Sequence, residues 1–429
     1  MEKLSDHPYV HSILGQRNVF DVPESSSLEN ELLRADSLWA RGQNTEAKDV
    51  LSRISGPIIT KNSKSLIFDP CSSKYKEYKS IGEGLEALIN GDLDQAYQHY
   101  CEVARSSDDS GLKVFATERA VNIAFWQACS GRMLEAGRHV SDMVETKPYA
   151  GGVLAFAQHM KGDSTLAEAT ARIAISKGFD DPWTLHAVAH SLYSMGRVKE
   201  CVDFLEAGRK RLPKDCSVFM KTHFEFHIAL CLIDLEQTEN LLKLINEGVF
   251  WGSLMHDEKT DYWAATGVLA ALWKAEVREL KSTSTISNLI ASNVLQYLEN
   301  ADPSKSKVFG LVILRWLCNQ PTKRDIWEEK LKNQNNDVLT ALATAISSVY
   351  SLLSSSSSSC SDIDVSWNKA AVRIIPVFHR IVELGASNEQ REVIEEFAVT
   401  ALSRYGKSDL VDEWLSINRR SGIRWYDKL

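Results

Sequence analysis

The sequence predicts an all-α protein, a solenoid of antiparallel helix pairs finished by a C-terminal helical cap. Three observations predict it. Apolar residues recur with helical period over most of the 429 residues. Turn residues are scarce, with 22 glycines and 10 prolines, fewer than an all-β chain spends on its turns. The third is a punctuation that repeats four times: Asn90-Gly91-Asp92 with Ala96, Ser130-Gly131-Arg132 with Ala136, Lys161-Gly162-Asp163 with Ala167, and Met195-Gly196-Arg197 with Cys201. Each reads as helix, left-handed glycine cap, helix, with a small residue where the second helix crosses the first. The glycines stand 40, 31 and 34 residues apart. Stacked pairs of about 34 residues are the tetratricopeptide (TPR) pattern, whose first helices line a concave face.

Taken in order, residues 1–80 form an N-terminal helical segment with irregular stretches. Residues 28–53 are amphipathic, and Ile58-Ile59-Thr60 and Leu66-Ile67-Phe68 are short extended pieces. Residues 81–280 hold the four glycine turns and two histidine motifs. Residues 281–429 form a helical region without the glycine period, with helices expected over 285–298, 308–318, 325–332, 337–353, 366–384, 389–405 and 408–419, and a further one over 260–280 just before it. Pro376 should kink or divide its helix. The serine run within 354–361 has no apolar surface to pack and reads as a loop. No Pro- or Gly-rich linker interrupts this order.

Charge and cysteine usage narrow the setting. The balance of 49 basic and 57 acidic residues gives −8, against the sign expected of a protein that works by neutralising phosphates, so no nucleic-acid partner is expected. The N-terminus lacks the basic start and apolar core of a secretory signal. No apolar run approaches the roughly 20 residues of a membrane span. The eight cysteines stand in no CxxC and mostly within apolar helical patterns, which fits reduced thiols and a cytoplasmic location. Walker A, GxSxG and HExxH patterns are absent, and Gly82-Glu-Gly84-Leu-Glu-Ala87 lacks the strand that a dinucleotide fingerprint needs. The basic run Arg209-Lys210-Arg211 reads as a solvated helix end, and most of the eleven tryptophans, Trp126 and Trp183 among them, as core anchors.

The chemistry that can be read lies in His186-Ala-Val-Ala-His190 and His223-Phe-Glu-Phe-His227. An i, i+4 pair shares one helix face, and both pairs fall on first helices, so four imidazoles are expected on the inner wall. Asp261 precedes the next apolar helix and is placed to orient or charge an imidazole. Three readings are open: a ligand pocket, histidines satisfied within tight packing, and a metal site. With imidazoles only and no thiolate, no metal and no stoichiometric zinc are expected.

Pro182-Trp183-Thr-Leu-His186-Ala-Val-Ala-His190-Ser-Leu-Tyr-Ser-Met-Gly196-Arg197 resembles the hallmark of the tetratricopeptide repeat protein 38 family. His223-Phe-Glu-Phe-His227 is similar to that family's following His-aromatic-His helix, Asp261 to its aspartate before a Leu-rich helix, and Ser387-Asn-Glu-Gln390-Arg391-Glu392-Val393 to its Ser-x-Ala-Gln-Arg-Asp-Val segment. The likeness runs from about residue 83 to 420. Glu389 and Glu392 depart from the family's alanine and aspartate, and Phe224 and Phe226 replace its polar and tryptophan residues. The resemblance implies a residue set of His186, His190, His223, His227, Asp261, Gln390 and Arg391, and names no reaction.

The expected function is therefore binding of a small molecule or peptide in a histidine-lined concave pocket, with Gln390 and Arg391 brought toward it by the C-terminal cap. The alternative is an enzyme of small-molecule biosynthesis, with His190 and His227 as acid and base and Arg391 holding an anionic group. No cofactor is expected.

Overall fold

In the computed structural model, residues 28–40, 43–55, 73–179, 181–212, 216, 218–247, 262–278, 291, 294–295, 298, 306–353 and 359–418 are described. They form α-helices with two 3₁₀ segments and, among the described residues, no strand. The helices are α1 Leu28–Ala40, α2 Asn44–Ser55, α3 Ser73–Ile89, α4 Leu93–Ser106, α5 Ser110–Trp126, α6 Ser130–Gly137, α7 Ala150–Met160, α8 Ser164–Ser176, α9 Pro182–Ser194 and α10 Val198–Arg209. They continue as α11 Val218–Asp234, α12 Thr238–Glu247, α13 Tyr262–Val277, α14 Lys307–Leu317, α15 Pro321–Lys332, α16 Asp337–Leu353, α17 Cys360–Ile374, α18 Asn388–Arg404 and α19 Ser408–Asn418. The fold is the expected all-α, TPR-like solenoid of helix pairs.

The turns that close these pairs share one hydrogen-bond pattern. After α3, α5, α7, α9 and α11, the residues Gly91, Ala128, Gly162, Gly196 and Glu236 take positive φ. At each, the left-handed residue donates its N–H to the carbonyl three back, and the next residue donates to the carbonyl five back. This is the Schellman arrangement, which satisfies carbonyls that the helix end leaves open. Gly131 is not one of these caps. It lies inside α6, and Ala128 holds the left-handed position. The turns are therefore 37, 34, 34 and 40 residues apart, a more even period than the glycines implied.

By its contacts the chain divides into two compact units. One comprises residues 1–191 with 208–220, and the other 192–207 with 221–429. In the first unit, consecutive helices pack on one another from α1 to α8. α7 is buried from Ala150 to His159, whereas α8 buries only Ala167, Thr170, Ala171 and Ala174, small residues that admit close packing. In the second unit, α18 packs on α13 and α14, out of sequential order. α18 opens with a capping box in which Ser387 and Gln390 exchange hydrogen bonds.

Pro376 divides its region as expected. α17 ends at Ile374, and a 3₁₀ segment, Ile375–Leu384, carries the proline in its first turn. The serine loop ends earlier than expected, because Ser359 and Asp362 form a capping box that starts α17 at Cys360. Residues 354–358, the pieces at 58–60 and 66–68, and most of 285–298 lie outside the described residues. Trp126 is 41% exposed and so does not anchor a core, whereas Trp273 is fully buried.

Candidate functional site

In the first unit, the approach of α7 to the start of α9 brings three imidazoles together. A Cβ on Gly152 would stand 2.7 Å from the Thr184 backbone nitrogen and 2.9 Å from the Trp183 carbonyl carbon, so only glycine permits this crossing. His186 and His190 then face each other from successive turns of α9, with Nε2 to Nε2 at 2.8 Å and ring planes at 89°. Both are buried, at 2% and 1% exposure. From α7, Phe156 packs 5.9 Å from the His186 ring and 5.4 Å from the His190 ring. Trp183 meets His186 edge-on at 5.5 Å.

His159, also on α7, places its ring 5.1 Å from that of His190, and its Nδ1 is 3.2 Å from Ser164 Oγ. Sequence reading passed over His159 because a lone histidine has no spacing partner; only the α7–α9 crossing pairs it. Just before α9, buried Asp181 accepts hydrogen bonds from the Tyr149 N–H and from both the N–H and hydroxyl of Thr184. Burial pushes its carboxyl up to about 6 in spite of those three donors.

In the second unit, His223 and His227 repeat the arrangement on α11, with Nε2 to Nε2 at 3.3 Å and ring planes at 79°. Phe226 stacks on His223 at 5.8 Å and lies 5.5 Å from the His227 ring. Gly267 of α13 faces Phe226, where a Cβ would make ordinary van der Waals contact at 3.6 Å.

The remaining expected residues behave differently. Asp261 lies outside the described residues. The Gln390 side chain accepts the Ser387 N–H. The Arg391 guanidinium donates to the carbonyls of Gly385 and Ala386 and, at 2.6 Å, to Asn388 Oδ1, with Glu395 at 3.6 Å. These contacts assign both side chains to the turn that opens α18.

Sequence reading also passed over a buried ionic cluster in the second unit. Lys274 of α13 stands 2.8 Å from Glu392, 2.9 Å from Asp234 and 3.8 Å from Glu396, and donates to the Tyr193 hydroxyl at 2.7 Å. Arg278 bridges Asp234 and Glu396. Burial would raise the Asp234 carboxyl, but Lys274 and Arg278 outweigh it and hold it below its usual range. For Glu396 burial prevails over the same two cations, and the carboxyl is raised. The legible signal was charge at core positions: Lys274 within Leu-Trp-Lys-Ala, and Glu392 and Glu396 an i, i+4 pair beside buried Val393 and Phe397. An open surface groove of about 610 Å³ lies elsewhere in this unit, beside Lys332, Asp337, Thr344 and Arg373, and no expected site residue lines it.

No protein-family profile matches the chain, and no curated protein matches it. The resemblance to the tetratricopeptide repeat protein 38 family thus stands at the level of the helical-repeat fold and not of the family. A solved structure described as "Human IFIT1 dimer with PPP-AAAA" is similar over 98% of this chain and 94% of that chain, at 12% identity and a TM-score of 0.45. One expectation is corrected: a nucleic-acid partner was excluded on net charge alone. A net charge is a whole-chain sum and sets no bound on a local surface. Among the described residues, no helix is long and apolar enough to cross a membrane.

Proposed function

We propose that this helical-repeat protein binds a small molecule or a peptide, and that the imidazole-bearing faces of α9 and α11 are its recognition elements. The observation that carries the reading is the recurrence of one arrangement. In each unit an i, i+4 histidine pair turns its Nε2 atoms together beside phenylalanine rings, at 2.8 and 3.3 Å. Imidazole offers a donor, an acceptor or a proton near neutral pH, and aromatic walls exclude water from it. Arg391 and Gln390 are not carried into this reading, because their side chains serve the α18 turn. Among the described residues, six cysteines form no disulfide, and five of these are buried, which fits action in a reducing compartment such as the cytoplasm.

The test is to purify the full chain under native conditions, denature it and analyse the released material by mass spectrometry. A compound that co-purifies with the wild type and is lost in a His190→Gln/His227→Gln variant of unchanged melting temperature is the expected result. A variant that melts several degrees lower, with nothing released from the wild type, would return the histidines to a packing role.

A further inference from the structure

The first unit holds a second cluster apart from the histidine pairs, on α1, α4 and α5. Asp36 and Trp39 stand at i, i+3 on α1, and Arg119, Asn122 and Trp126 at i, i+3 and i+7 on α5, so each set shares one helix face. The two stripes meet at two levels. The Arg119 guanidinium donates to Asp36 at 2.5 Å, and the Trp39 and Trp126 rings lie 5.8 Å apart, tilted at 55°. Glu118 places one carboxylate oxygen 3.4 Å from the Arg119 guanidinium, and its other oxygen accepts from Asn122. Asp36 and Glu118 are buried, whereas Trp126 is exposed and marks the end of the stripe that is open to solvent.

Two carboxylates thus share one guanidinium in a low dielectric. Burial raises the Glu118 carboxyl; Arg119 opposes that rise and Asp36 adds to it. With both acids ionised, the cluster is short of one positive charge. An independent group faces the same place. Tyr100 of α4 is fully buried, and its hydroxyl makes no hydrogen bond among the described residues. That hydroxyl lies in the field of Asp36, Arg119 and Glu118, which sets it against the cluster.

We propose that the facing stripes of α1 and α5 bind an alkylammonium group, its head held by Glu118, Asp36 and the Tyr100 hydroxyl and its methylene stem laid against Trp39 and Trp126. A primary ammonium carries three N–H donors and no acceptor, which suits two carboxylates and a phenolic oxygen. Its charge brings the buried cluster to balance. Indole is the side chain that attracts a cation most strongly, and its face also covers methylene groups. A bare metal ion would draw nothing from the indoles. An anion would find Arg119 already committed to Asp36 and Glu118. The group is carried either by a lysine side chain of a peptide or by a free aliphatic diamine. Neither histidine pair contributes, so the site stands whether or not those imidazoles bind anything.

The experiment is a ligand-observed NMR titration of the full chain at low salt. The probes are 1,5-diaminopentane, N-acetyl-lysine amide and the same lysine amide acetylated at Nζ, which keeps the stem and removes the charge. The two cations are expected to bind saturably and to compete with each other, with the acetylated probe at least about tenfold weaker. Tighter binding of the diamine would identify a free amine as the source, and tighter binding of the lysine amide a peptide. Glu118→Gln should weaken both cations at least about tenfold, and Trp126→Leu about threefold or more. Glu145→Gln, at an exposed acid elsewhere in the unit, should change nothing. Because Trp126 is exposed, its variant tests the site even where Glu118→Gln folds poorly. No saturable binding to the wild type, equal binding of the acetylated probe, or folded Glu118→Gln and Trp126→Leu variants that bind as the wild type does would each overturn the assignment.

Discussion

Lys274 is fully buried among Asp234, Glu392 and Glu396, and with Arg278 it makes two cations against three carboxylates. Removing one partner of such a cluster strands the others in a low dielectric. Lys274→Met is therefore expected to cost about 3–5 kcal/mol in urea denaturation. A triple variant with Glu392→Gln and Asp234→Asn should recover part of that loss. Asp181 sets a pH dependence of the opposite kind from a paired acid. Its folded carboxyl titrates at about 6 against 3.8 when free, so the folded state holds the proton more tightly. Its favourable contribution is complete below about pH 4 and is lost as pH rises through about 6, a change of about 3 kcal/mol. Denaturation midpoints of the wild type should show that slope, and those of Asp181→Asn should not. The i, i+4 histidine pairs were legible because spacing alone puts them on one face. His159 and the bond from Tyr149 to Asp181 were not, because their partners lie on another helix or 32 residues away, and Lys274 showed only as a charge at a core position, its carboxylate partners lying on other helices.

At the scale of the helix pair, seven helix ends among the described residues share the same two hydrogen bonds, those at residues 91, 128, 162, 178, 196, 236 and 406, and two of them place a side chain in the left-handed region, at Ala128 and Glu236. A Cβ there costs about 1–2 kcal/mol, partly offset by the greater freedom glycine gives the unfolded chain. Ala128→Gly and Glu236→Gly should each stabilise the protein by up to about 1 kcal/mol, and Gly162→Ala should do the reverse, all read from chemical denaturation. The glycine period was legible at residues 91, 162 and 196. It misled at Ser130-Gly131, because the hydrogen bonds need a left-handed residue three positions earlier and accept alanine there. Gly152 demands more of its side chain than of its backbone dihedral. Gly152→Ala would press a methyl onto the Thr184 backbone and should destabilise by about 1–3 kcal/mol while moving the His159 and His190 ring resonances in NMR.

Across the described residues, burial alternates between largely buried helices such as α5, α7 and α14 and mostly exposed ones such as α8 and α15. Hydrogen exchange should follow that alternation, slowest in α5, α7 and α14 and fastest in α8 and α15, and uniform rates within either unit would contradict the burial described. The all-α class and the helix order were legible, since apolar period reports burial along one element. The division at residue 191 was not, because no change of composition marks it. The recurring turn has a further consequence for how such a chain can change length. Residues 129–162 begin just after one left-handed cap and end on the next, with the same donor and acceptor pattern at both ends. A tandem duplication of that stretch would set Gly162 directly before a second Cys129 and rebuild an existing seam. The gene can thus lengthen or shorten by whole cassettes without inventing a new joint.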